Sequence, residues 1–225
     1  MKIYVDGCSW TAGFGLSEGN SLADFISRED RTITVYDFSY SGKSNSSMLD
    51  DLIDNRRLVD EVDWVVVGLT TPYRYNIYSQ NNQRIDFAPA GITVVLDDQK
   101  NHTFVDENIA LDIEQYQKCL YSVNLEKYHI LSTIKNYFAL KNIAGTKFRC
   151  FSVHQHLDPL FDKCFNFQQL SDRKKPFRLR PDENGWIHNW KYFPILDDGF
   201  QEDNGHLNMT GMQRLAKMVL QNVYG

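Results

Sequence analysis

Residues 63–69, DWVVVGL, form a continuous apolar run with β-branched residues at its centre. A strand that is apolar at nearly every position must be covered on both faces, as in the middle of a parallel sheet flanked by helices. The preceding sequence fits the same arrangement. Residues 2–6 (KIYVD) predict a short buried strand ending at Gly7, and Thr32–Phe38, alternating and β-branched, predicts a second. Between them Asn20 or Ser21 caps a predicted helix through about Arg28, with Leu22, Phe25 and Ile26 on one face. Ser44 or Asn45 caps another, carrying Met48, Leu49, Leu52, Ile53 and Leu58. The resulting β-α-β-α-β order predicts an α/β fold of three layers, α/β/α, around a mostly parallel sheet.

Two segments depart from this rhythm. Residues 72–107 contain Pro72, Pro89, Gly91 and an alternating GITVVL stretch, and read as an inserted hairpin or excursion. Residues 108–144 are helical, with an interruption expected near Asn124 and a stop at Gly145. Lys147–Val153 predicts a further strand, residues 154–205 form a second, irregular and aromatic excursion, and a helix from about Thr210 to Asn222 closes the chain. A length of 225 residues suits one domain with these two excursions.

Composition narrows the functional classes. No apolar stretch approaches the roughly 18 residues of a membrane span, so no membrane insertion is expected. Asp6 and Gly7 interrupt the apolar residues a signal peptide would need, and the four cysteines show no CxxC spacing, which predicts a reduced, cytoplasmic protein. A net charge of −5 argues against a nucleic-acid partner. The short basic run Arg173–Arg180 reads as a solvated loop, and oligomeric state leaves no mark in the sequence.

In open parallel sheets, ligands bind beyond the carboxyl ends of the strands. Ser9, Gly42, Gly68–Thr70 and His154 each follow a predicted strand and therefore gather on one rim. Ser9, in DGCSWTAG, sits where strand gives way to helix, with backbone amides converging at a positive helix end. That segment alone leaves two readings open, a small-residue turn or a nucleophile whose oxyanion the amides stabilise. It lacks the lysine of a phosphate-binding loop, and Thr11 excludes the Gly-x-Ser-x-Gly elbow. Near the C-terminus, DNGHLNMTGM places Asp203 three residues before His206, a carboxylate and a base on one loop.

Other candidates are weaker. Cys8 reads as a buried, inert thiol, because adjacent extended residues point to opposite sides. His154 and His156 share a strand face with Asp158 nearby, but no further ligand has a metal-site spacing. Trp186, Trp190, Tyr192 and Phe193 are either core cover or a stacking wall for a sugar or flat acyl group. Arg74, in TTPYR, lies near the rim, where its guanidinium could bind an acidic substrate group or form a structural salt bridge.

Taken together, Gly-x-Ser-x-Thr-x-Gly after the first strand, Gly42 after the second, a glycine-led block after the third and Asp-x-x-His before the last helix resemble the SGNH (GDSL-like) hydrolases. The resemblance runs from residue 3 to about 220, with the excursions unmatched. It implies a flavodoxin-like fold and a carboxylic-ester hydrolase with Ser9 as nucleophile, His206 as base and Asp203 as the carboxylate orienting it. Amides of Ser9 and Gly42 are implied for the oxyanion hole. The third block normally reads Gly-x-Asn-Asp, whereas here it is Gly68-Leu69-Thr70-Thr71, so Thr70 stands where a donor asparagine is expected. Asn45 or Arg74 are further candidates for compensation and substrate contact. The implied substrate is a short-chain or O-acetyl ester, a carbohydrate ester being one such class, with no metal or organic cofactor. A catalytically weak glycan- or protein-binding module and an O-acyltransferase are the alternatives.

Overall fold

The computed structural model describes residues 1–78, 84–87, 93–96, 102–103, 126–152 and 206–224. A four-stranded parallel sheet has the order β2-β1-β3-β8, formed by β1 (Lys2–Gly7), β2 (Thr34–Asp37), β3 (Trp64–Leu69) and β8 (Phe148–Ser152). Strands β1 and β3 send alternate residues to opposite faces. Tyr4, Val65 and Val67 pack with α3 (Asn45–Asp54) and α5 (Glu126–Ala144). Ile3, Val5 and Val66 pack with α2 (Leu22–Glu29) and α6 (Met209–Tyr224). All six of these strand residues are fully buried, which accounts for the unbroken apolar reading of residues 64–69. The three-layer α/β/α expectation holds.

Local signals explain where the helices start. Ser21 accepts from the backbone N–H of Asp24 while the Asp24 carboxylate accepts from the N–H of Ser21, a reciprocal capping box. Ser44, rather than Asn45, caps α3 by accepting from the N–H of Ser47 at 3.1 Å. The helix predicted to run on to Leu58 is broken at Asn55, and α4 (Arg56–Glu61) follows. Lys147 donates to the carbonyls of Val59, Asp60 and Val62 at 2.8–2.9 Å, satisfying the C-terminal end of α4.

The first excursion is more regular than a hairpin. It holds four antiparallel strands in sequential order, β4 (Tyr75–Tyr78), β5 (Arg84–Phe87), β6 (Thr93–Leu96) and β7 (His102–Thr103). The second excursion, residues 154–205, lies outside the described residues, as does the interruption expected near Asn124.

One buried ionic cluster joins this meander to the parallel sheet. Lys43, fully buried, donates to Asp6 Oδ1 at 2.5 Å and to the Phe38 carbonyl at 2.8 Å, and pairs also with Asp51. Arg84 of β5 donates to the other Asp51 oxygen at 2.7 Å. Asp86, two residues on, accepts from the Ser44 N–H at 2.9 Å, from Ser47 Oγ at 2.6 Å and from the Tyr40 hydroxyl. Two cations thus face three carboxylates. Burial pushes the Asp6 carboxyl up to about 8, against the pull of Lys43, whose charge it shares with Asp51. Burial also works to raise Asp51, but Lys43 and Arg84 outweigh it and hold that carboxyl below its usual range.

Two outcomes follow from this cluster. Lys43→Met, leaving buried carboxylates without their cation, lowers unfolding free energy by about 3–5 kcal/mol in denaturant titrations. Because Asp6 is raised on folding from 3.8 to about 8, its contribution is full below 3.8 and is lost progressively as pH rises from there through about 8. Melting curves therefore show a decline in stability across that window, which Asp6→Asn flattens.

Candidate active site

At the end of β1 the chain turns from Gly7 through Cys8 into α1 (Ser9–Ala12), a single helical turn. What fixes this turn on the sheet is Thr11. Gly7 and Gly68 are paired in register across β1 and β3, and a Cβ on either would lie 2.0 or 2.4 Å from Thr11 Oγ1. The paired glycines leave a hollow into which the Thr11 side chain fits, and Thr11 is fully buried there. Gly13, at φ +75°, ends the turn in the left-handed conformation that favours glycine. Ser9 is consequently held at the first helical position, where backbone amides have no intrahelical partner. Cys8 points the other way, into the core among Tyr4, Met48 and Leu52, as expected of an inert thiol.

His206 arrives from the far end of the sequence. Asn208 caps α6 by accepting from the Gly211 N–H at 3.0 Å, and this fixes the approach of the segment just before it. His206 Nε2 lies 2.9 Å from Ser9 Oγ, a full hydrogen bond between residues 197 positions apart. The imidazole packs against the rings of Trp10 and Phe14, with centroids 5.4 and 5.0 Å away. Ser9 is only 4% exposed, whereas His206 is half-buried. Asp203, Trp186, Trp190, His154 and His156 lie outside the described residues.

Gly42 adopts φ +90°, which only glycine takes without strain, at the loop between β2 and α3. The next residue is Lys43 of the ionic cluster, so this glycine's peptide is anchored from beneath. Thr70, just past β3, is fully buried. Its backbone is clamped by Asn45, whose Oδ1 accepts from the Thr70 N–H at 2.9 Å and whose Nδ2 donates to the Thr70 carbonyl at 3.0 Å. Nδ2 also approaches Thr133 Oγ1 of α5 at 3.4 Å. Asn45, 2% exposed, thus uses both ends of its amide to hold the Thr70 backbone. The Thr70 hydroxyl is buried with no hydrogen-bond partner among the described residues. A buried hydroxyl in that state carries an unmet bonding capacity.

Arg74 lies on the turn after Thr70, and its Nη1 donates to the Lys43 carbonyl at 3.4 Å. The structural salt bridge considered from the sequence is absent among the described residues. His129 of α5 was not singled out in the sequence. It is buried, one helical turn before Thr133, with Nε2 bonded to the Tyr75 hydroxyl and the rings of Tyr73 and Tyr128 around it. Burial lowers its basicity. No three-residue cluster with metal-ligand character exists among the described residues.

No protein-family model and no curated protein sequence matches the chain. Solved structures do. The psychrotrophic esterase EstA from Pseudoalteromonas sp. superposes with a TM-score of 0.53 at 10% identity, covering 99% of this chain and 96% of that one. A lipase/acylhydrolase from Enterococcus faecalis gives 0.53 at 14% identity, covering 99% and 94%. The acetyl xylan esterase AlAXEase gives 0.52 at 11% identity, covering 98% of both chains. End-to-end coverage at such low identity means that layer order and strand topology, rather than sequence, are what the chains share. The chain has the fold of the SGNH, or GDSL, lipases and esterases.

Proposed function

We propose that this protein is a serine esterase of SGNH type, acting on a short-chain or O-acetyl ester. The observation that carries the reading is the 2.9 Å contact between His206 Nε2 and Ser9 Oγ. A serine hydroxyl is a poor nucleophile until a base within hydrogen-bond reach takes its proton. Here Ser9 Oγ attacks the acyl carbonyl carbon while His206 Nε2 accepts the proton. Asp203 orients the imidazole and stabilises its protonated form. His206 then returns the proton to the departing alcohol, and water activated by the same nitrogen releases the acyl group from Ser9.

The developing oxyanion is stabilised by the N–H groups of Ser9 and Gly42 and by the Thr70 hydroxyl. The hydroxyl's lack of a partner among the described residues supports its part in this: a donor held unbonded in the resting site is available when negative charge appears. Asn45 serves the chemistry indirectly, by fixing the Thr70 backbone. A sugar-borne ester is the substrate choice that the likeness to an acetyl xylan esterase supports, with Trp186 and Trp190 as the aromatic residues proposed to contact it. The chain acts within one domain, without a metal or organic cofactor.

Hydrolysis of p-nitrophenyl acetate tests the assignment. Ser9→Ala lowers kcat by at least about 1,000-fold, as expected when a nucleophile is removed. Thr70→Val, which keeps the shape and removes the hydroxyl, lowers kcat by about 100-fold with KM little changed, and Thr70→Ser retains most of the rate.

A further inference from the structure

Three cations surround the loop that carries Gly42, and two of them are neutralised. Lys43 pairs with Asp6 and Asp51, and Arg84 pairs with Asp51. Arg74 is different. Among the described residues no carboxylate pairs with it, and its side chain makes a single hydrogen bond, from Nη1 to the Lys43 carbonyl at 3.4 Å. Its Nε is screened from solvent and meets no acceptor among the described residues.

The position of this guanidinium is as telling as the absence of a counter-ion among the described residues. Arg74 belongs to the turn that directly follows Thr70, with its N–H directed at the Thr71 carbonyl at 3.5 Å. From that turn it reaches the peptide between Lys43 and Ser44, one residue beyond Gly42. It therefore spans the two segments proposed to supply oxyanion donors, on the rim where a substrate would lie. A partly buried guanidinium loses hydration, and one long bond to a carbonyl recovers little of it. Of the acidic residues described in this region, Asp6 and Asp51 serve Lys43 and Arg84, Asp86 accepts from Ser44, Ser47 and Tyr40, and Asp50 accepts from Asn76 and Tyr78.

We propose that Arg74 is a substrate-recognition residue for an oxyanion, so that the preferred ester carries a carboxylate or phosphate group that this guanidinium can bind. The planar fork of a guanidinium presents parallel donors that match either group. The net charge of −5 disfavours anionic ligands at long range, so recognition depends on this local cation. The inference rests on the esterase reading for the chemistry but not for the binding.

Two matched acetyl esters test it, 4-acetoxybenzoate and its neutral methyl ester. The expected result is that Arg74→Gln lowers the ratio of kcat/KM for the anionic over the neutral ester by about 10–100-fold, mainly through KM, and that Arg74→Lys restores part of it. A ratio unchanged within about twofold overturns the proposal. Binding is measured separately by calorimetric titration of Ser9→Ala with 4-acetoxybenzoate, and with 4-acetoxyphenyl phosphate to distinguish the two oxyanion sources. At least one binds, and adding Arg74→Gln weakens it about tenfold or more. If neither ester is hydrolysed by the unmodified protein but binding depends on Arg74, the anion site stands and the hydrolase reading falls. If both are hydrolysed and Arg74→Gln changes neither ratio nor binding, the anion site falls and the hydrolase reading stands.

Discussion

The buried pairing of Lys43 with Asp6 and Asp51 is the interaction on which the rest of the rim depends. Asp6 belongs to β1, immediately before the Gly7-Cys8-Ser9 turn, and Lys43 follows Gly42. Their contact therefore fixes the loop bearing Gly42 relative to the strand bearing Ser9. Asp51 and Arg84 extend the tie to α3 and the antiparallel meander, and Asp86 holds the start of α3 through Ser44 and Ser47. Buried ion pairs add little net stability against apolar substitutes, so their value here lies in specifying one geometry. A loop that must present a backbone amide at a set place is where such specification matters most.

A second set of constraints is steric. The hollow made by Gly7 and Gly68 receives Thr11, which settles α1 on the sheet and Ser9 with it. Asn45 clamps Thr70 by main-chain bonds. Each candidate group is thus held in place by a neighbouring side chain. Charge, packing and hydrogen bonding act on three separate loops, and the three converge at the carboxyl ends of β1, β2 and β3.

Much of this was legible in the sequence because it rests on local patterns. The apolar run at 64–69 and the capping residues Ser21 and Ser44 announce strands and helices through periodicity and short-range bonding. Ser9 and His206 were legible as motifs at opposite ends of the chain, although their 2.9 Å contact depends on how α6 packs against the sheet. The ionic cluster was not legible. Lys43 in YSGKSNSS reads as an ordinary loop lysine, and Arg84 and Asp86 lie in a stretch that reads as an inserted hairpin or excursion. Which carboxylate a buried cation meets is decided by strand order and register, which no short window encodes. The unusual clue was Asp6, a charge inside an otherwise apolar strand, and its burial is the reason Lys43 is buried too. The bonding of Asn45 to Thr70 was not legible for a related reason: its partner is a backbone segment 25 residues away.

The central claim is that His206 makes Ser9 nucleophilic. Its most direct test is covalent labelling by a fluorophosphonate, with the modified residue located by mass spectrometry. Activation of Ser9 predicts a single phosphonyl adduct on Ser9 that forms in the unmodified protein and is lost in His206→Ala while the fold is retained. An unlabelled Ser9, or labelling that proceeds equally well without His206, would contradict it.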